Sequence, residues 1–130
     1  MANLYVATAF GNRAEAKELM ERLRTEGHTI SHDWTGENVN PAWSLGIQSQ
    51  YLQACGAADF RGVVEADAVI LINHPECRDA MTEFGIALGR GIPVFVLHPD
   101  VKLSVFFHRA AAIGDVVDLF MWLENGCRNA

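Results

Sequence analysis

The sequence is poor in cysteine, in cations and in uninterrupted apolar runs. Its three cysteines, Cys55, Cys77 and Cys127, are odd in number, far apart and never in a C-x-x-C pair. That argues against a disulfide scaffold and against a cysteine-rich zinc site, and reduced thiols in a cytoplasm are the plain expectation. No apolar run approaches the ~20 residues needed to span a bilayer, and the N-terminus has no basic-then-apolar signal pattern. Ten Lys and Arg stand against sixteen Asp and Glu, a net charge of −6. With no basic stripe, the footprint of a duplex or RNA binder is missing. A small molecule is the expected partner, with no nucleic acid and no membrane; an anionic ligand would need local donors, because the overall field repels it. Glycine-rich dinucleotide and Walker loops are missing too, as are repeats, linkers and low-complexity tracts.

What remains is a chain of 130 residues, half of them apolar. That suffices for one core, so residues 1–130 read as a single domain. Leu4–Phe10 reads as a buried strand. Asn12-Arg-Ala-Glu15 is an Asn variant of the capping box, predicting a helix just after Asn12, with an apolar stripe at Ala16, Leu19, Met20 and Leu23 and a stop at Gly27. His28–Trp34 reads as an edge strand of mixed polarity. The pattern from Ala42 to Ala66 is helical, but Gly46, Gly56 and Gly62 interrupt it, so two helices with a break near Gly56 are as compatible as one. Asp67–Asn73 and Ile92–Leu97 read as strands, with a helix from about Ala80 to Arg90 between them. Pro99–Ser104 reads as loop, and a last helix covers roughly Asp115–Glu124.

Strands alternating with helices imply parallel pairing and right-handed crossovers. Fully apolar strands suit a sheet covered on both faces. The expected fold is therefore α/β: a small doubly wound, flavodoxin-like parallel sheet in a three-layer sandwich. In such sheets ligands sit outside the strand C-termini at the topological switch point, which gathers the loops after Ala9, Trp34, Asn73 and Leu97 around one crevice.

Glu83 stands out within that frame. It lies near the start of the helix leaving the Asp67–Asn73 strand, where the helix dipole favours an ionised carboxylate; the alternative is a Glu that merely stabilises its own helix. Asp59 lies among Phe60, Val63 and Val64, and its pattern alone is equally compatible with a solvated helix face. Asp79 is first of all a candidate N-cap. His74 and Cys77 have H-x-x-C spacing, but no second pair completes a tetrahedral metal site. His32, His98 and His108 are scattered and form no readable triad. Trp34, Trp43 and Tyr51 could stack a nucleobase, although core packing is the commoner fate of such aromatics.

The stretch 57–72 (A-A-D-F-R-G-V-V-E-A-D-A-V-I-L-I), a short polar loop and then 81–94 (M-T-E-F-G-I-A-L-G-R-G-I-P-V) resemble the nucleoside 2-deoxyribosyltransferases and their relatives, the 2'-deoxynucleoside 5'-phosphate N-hydrolases. The resemblance covers most of the chain, taking in L-Y-V at the start, G-H-T-I near the second strand and the late L-S-V-F-F-H-R. It implies a cytoplasmic enzyme that cleaves an N-glycosidic bond and needs neither metal nor organic cofactor. In that reading Glu83 attacks the anomeric carbon, Asp59 is the acid near sugar and base, and the Tyr5 hydroxyl orients the nucleophile. Phe10, Gly11, Asn12 and Arg13 match the loop that lines the sugar or phosphate. Ser104 resembles a Ser lent to a neighbouring subunit's phosphate site, which implies a homo-oligomer. Asp79 joins the substrate-binding set; transferases often carry an Asp six residues before the nucleophile, and here the chain departs from them, with Cys77 at that position and Asp79 only four before. A-F-G-N-R is also plainer than the hydrolases' Gly-Ser-Arg-Gly loop. Rival readings are an NAD-cleaving domain of the TIR-like type, a non-catalytic nucleotide-binding module, and an interaction protein with no ligand.

Overall fold

In the computed structural model, which describes residues 1–128, five strands form one parallel sheet. They are β1 (Asn3–Ala7), β2 (Thr29–Ile30), β3 (Ala68–Ile72), β4 (Val94–Leu97) and β5 (Ala112–Gly114). Their order is β2-β1-β3-β4-β5, the doubly wound order with its switch point between β1 and β3. Tyr5 lies level with Val69, and Val69 with Val94. All residues of β3 (AVILI) and β4 (VFVL) are buried, as expected for strands covered on both faces.

Helices α1 (Arg13–Thr25), α2 (Leu45–Val64), α3 (Asp79–Gly89) and α4 (Val116–Glu124) complete the three layers. α1 buries the anticipated stripe of Ala16, Leu19, Met20 and Leu23. Its Arg22 guanidinium lies 4.3 Å from the Phe120 ring centre of α4, while Phe95 of β4 packs on Trp122. On the other side, α3 contacts α2, and Phe84 packs edge-on against Phe107. α1 ends as its sequence demands: Gly27 takes φ +94, while the N–H groups of Gly27 and His28 return to Arg24 and Leu23, the Schellman arrangement.

Two expectations need correction, one open choice is decided, and one strand is new. Asn12 precedes α1 but does not cap it: its dihedrals are those of a turn (φ −103, ψ 20), whereas a capping side chain needs an extended backbone. A short 3₁₀ turn, Phe10–Asn12, occupies that position, and the Asn12 amide donates instead to Thr8 Oγ1 and Glu15 Oε1. β2 spans only two residues rather than His28–Trp34, because the chain leaves the sheet after Ser31, whose hydroxyl donates to the Gly62 carbonyl. Trp34 then donates its indole N–H to the Val6 carbonyl (2.7 Å), supplying the bond that a longer edge strand would have made.

α2 is one continuous helix of 20 residues, capped by Ser44 Oγ on the Ile47 N–H. Its glycines do not break it, and Gly62 serves close packing: a Cβ there would come within 2.9 Å of the Tyr5 ring and 2.7 Å of His32 Cβ. β5 was not anticipated. Ala112, Ile113 and Gly114 pair with Phe95, Val96 and Leu97, but three small or apolar residues show no period to read. Gly114 leaves room for Asp118, which forms a reciprocal capping box with Asp115.

Candidate functional site

A cleft of about 940 Å³ opens outside the C-terminal ends of β1 and β3, where the strand order reverses. Tyr5 and Glu83 line its depths; Tyr51, Cys55 and Asp59 of α2 form one wall. Trp34, Glu37 and Asn38 come from the loop after β2, Phe10 and Gly11 from the turn after β1, and Glu76, Arg78 and Asp79 from the approach to α3. The Asn38 N–H donates to the Tyr51 hydroxyl (2.8 Å), tying that loop to α2.

The fully buried Tyr5 hydroxyl donates to Glu83 Oε2. Glu83 is the fifth residue of α3 and only 9% exposed. This corrects the expectation of a carboxylate held ionised by the helix start. Burial instead pushes its pKa up to about 8; the Tyr5 hydrogen bond works in the opposite direction, and the charges of Asp59, Asp79 and Glu37 add to the rise. Desolvation outweighs a helix dipole whose influence fades within the first turn. Burial, then the Glu83 charge, drive the Tyr5 phenol far above its usual value, so it stays a proton donor.

Asp59 belongs to a small polar cluster. His32 Nε2 lies 3.0 Å from Glu37 Oε2 and 3.2 Å from Asp59 Oδ1. The hydrogen bond runs to Glu37, leaving Asp59 Oδ1 shut off from solvent without one among the described residues. Burial raises the Asp59 pKa to about 7, as do the charge and hydrogen bond of Glu37; His32 opposes the rise. At neutral pH Asp59 is thus a carboxyl poised to hold or lose a proton.

Of the residues singled out in sequence, Glu83, Asp59, Tyr5, Phe10, Gly11 and Asp79 come together on this cleft. Asp79 is not the N-cap of α3; Arg78 holds that position without a side-chain cap, and Asp79 is the first helical residue. Asn12 and Arg13 do not line the cleft, and the Arg13 guanidinium sits 4.6 Å from the Phe10 ring centre. Ser104 lies elsewhere, beside a cavity of about 240 Å³ with Asn73 and Lys102, where its Oγ accepts the Phe106 N–H. His32 counted in sequence only as one of several scattered histidines, and Glu37 and Glu76 carry no motif. The available signal was position: His32 and Glu37 follow β2 and Glu76 follows β3, at strand ends that face the cleft. His74 and Cys77 do not pair, since His74 Nδ1 accepts the Glu76 N–H and Cys77 is buried against the Ile72 carbonyl. Trp34 and Tyr51 line the cleft, while Trp43 packs edge-on against Tyr51.

No family model matches this chain, and no curated protein matches it by sequence. Solved structures do match its fold. A 2-deoxyribosyltransferase from the psychrotolerant bacterium Bacillus psychrosaccharolyticus superposes with a TM-score of 0.66, covering 92% of this chain and 90% of that one at 18% identity. The chain shares the fold of a 2-deoxyribosyltransferase. A conserved protein from Enterococcus faecalis V583 superposes at TM-score 0.68, with 97% and 99% coverage and 16% identity. At such identities the likeness is one of architecture. None of the described helices is long and apolar enough to cross a membrane.

Proposed function

We propose that this chain is an enzyme that cleaves the N-glycosidic bond of a 2'-deoxynucleoside or its 5'-monophosphate by double displacement at C1'. The observation that carries this reading is the buried Tyr5–Glu83 pair sharing a cleft with a second carboxyl, Asp59. Tyr5 engages Glu83 Oε2 and leaves Oε1 to attack once the carboxyl has lost its proton to solvent. A bond forms from that oxygen to C1' while the C1'–N bond breaks, and its electron pair passes to the base nitrogen. Asp59 gives that nitrogen a proton, because an unprotonated base anion leaves poorly. His32 and Glu37 position the acid. In the second step water or another base attacks C1' and frees Glu83, and Asp59 takes back a proton. The fold shared with a 2-deoxyribosyltransferase supports the same reading. No step calls for a metal or an organic cofactor.

The reading also has the chain, a single 1–130 domain, work in the cytoplasm as a homo-oligomer. Leu103, Val105 and Phe106 are exposed around Ser104, and a second copy would cover them. The deciding experiment traps the wild type with a 2-fluoro-arabino nucleoside, which slows release of the sugar. The sugar's mass should appear on Glu83; a label elsewhere, or base release undiminished in Glu83→Gln, overturns the mechanism.

A further inference from the structure

The charge around the cleft bears on which substrate it accepts. Among the described residues, five carboxyl groups line it, those of Glu37, Asp59, Glu76, Asp79 and Glu83, against the single cation Arg78. Even with Asp59 and Glu83 protonated, three carboxylates face one guanidinium. In the turn after β1, where the sequence resemblance would seat a phosphate, the donors of Asn12 are already engaged. The Asn12 N–H is spent on the Ala9 carbonyl (2.8 Å), and the Asn12 amide on Thr8 and Glu15. The Arg13 guanidinium stacks over the Phe10 ring and is not among the residues that line the cleft. An acid stands beside this turn as well: Glu76 Oε2 is 4.0 Å from where a Cβ on Gly11 would be.

We infer that this cleft takes an unphosphorylated nucleoside and discriminates against its 5'-monophosphate. The inference rests on the glycosidic reading above and narrows it. A phosphate monoester brings a charge of about −1.5 to −2 at pH 7 and acceptor oxygens only. Carboxylates are likewise acceptors, so the two repel and cannot bond. Sugar hydroxyls are donors, and Glu76 and Asp79 are suited to accept from them. The net charge of −6 works in the same direction at longer range.

Calorimetry on Glu83→Gln, which leaves ligands intact, decides the matter with 2'-deoxyadenosine and thymidine against their 5'-monophosphates. The nucleosides should bind more tightly by about 100-fold, the scale of a single well-placed discriminating contact. That ratio should shrink as salt is raised, and shrink again in Glu76→Gln. A monophosphate that binds as tightly as its nucleoside overturns the inference. So does a ratio indifferent to both salt and Glu76→Gln, which would assign the preference to shape. Base release by the wild type is scored separately on the same four compounds. If none is cleaved, the glycosidic reading fails while the binding ratio still decides the preference; if the monophosphates are cleaved faster, the inference fails and the glycosidic reading stands.

Discussion

The two faces of the sheet bury their helices very differently. α1 and α4 cover one face with regular stripes: Ala16, Leu19, Met20 and Leu23 from α1, and Leu119, Trp122 and Leu123 from α4. On the other face α2 runs for 20 residues and buries only Gly62 and Val63, leaving Leu45, Ile47, Leu52 and Phe60 exposed. α3 on that face buries Ala80, Phe84 and Ala87 and, among them, a carboxylate, Glu83. The first face spends its apolar residues on the core. The second is held by the apolar residues of α3 and by the close backbone approach of α2 at Gly62, and α2 uses the remainder for a cleft wall and for surface that a single copy leaves open. One face is therefore given wholly to the core, while the other shares its burial with the cleft.

The sharpest test of that separation is Glu83→Gln, which keeps the acceptor for the Tyr5 hydroxyl. Base release should fall by at least about 10³-fold, since the covalent route is lost. Stability should move the other way. The Glu83 pKa is raised in the folded chain, from 4.5 to about 8. The native state therefore holds a proton that the unfolded state releases, and wild-type stability is lost as pH rises through this window. Melting curves at pH 5 and pH 9 should differ less in Glu83→Gln than in the wild type, and the variant should be the more stable at pH 9. Equal pH dependence would mean that Glu83 is not buried as described.

Met20→Ala, in the fully buried stripe of α1, is the converse. It should cost about 2–5 kcal/mol in urea unfolding and leave turnover of the folded fraction unchanged. A matching loss of turnover would mean that the two faces are coupled.

Two glycines sharpen the contrast further. Gly62→Ala places a methyl against Tyr5 and His32, so it should cost about 1–3 kcal/mol by overpacking. It should also lower turnover by about 10- to 100-fold, because the helix carrying Asp59 shifts relative to Glu83. Gly85→Ala, with nothing within 4 Å of its new methyl, should stabilise by about 0.5–1 kcal/mol and leave activity alone. The smallest effect on stability belongs to Val105→Ser, at a position 77% exposed. It should change stability by less than about 0.5 kcal/mol while shifting light scattering toward the 14.3 kDa monomer. A wild type that is monomeric at working concentrations would remove the homo-oligomer from the proposal.

The same division by face explains what could be read from sequence. α1, β3 and β4 carry strong periodic or continuous apolar patterns because burial dictates their composition, and the parallel doubly wound fold followed from them. α2 kept its helix despite three glycines because packing at Gly62 rewards a missing side chain, an effect that propensity counts as a penalty. β5 is too short to show a period, and β2 was read too long because the Trp34 indole takes the place of its second half. At the site, position singled out Glu83 and the family resemblance brought in Asp59, but Glu83 was given the wrong environment, because burial against Tyr5 is a contact between distant segments. His32 and Glu37 were not assigned to the site for the same reason: neither has a motif, and both acquire meaning only when α2 brings Asp59 beside them.

The Trp34 indole on the Val6 carbonyl also bears on how this protein behaves in a crowded solution. A sheet edge with unmatched acceptors is a template on which a foreign strand can pair, and natural sheets blunt such edges. Here β2 ends after two residues, and one aromatic N–H closes the gap it leaves on β1. Trp34→Phe would keep most of the apolar packing but uncover that acceptor, making the edge adhesive to extended chains. The indole thus satisfies the β1 acceptor that the short edge strand leaves open, and does so from a residue that also lines the cleft.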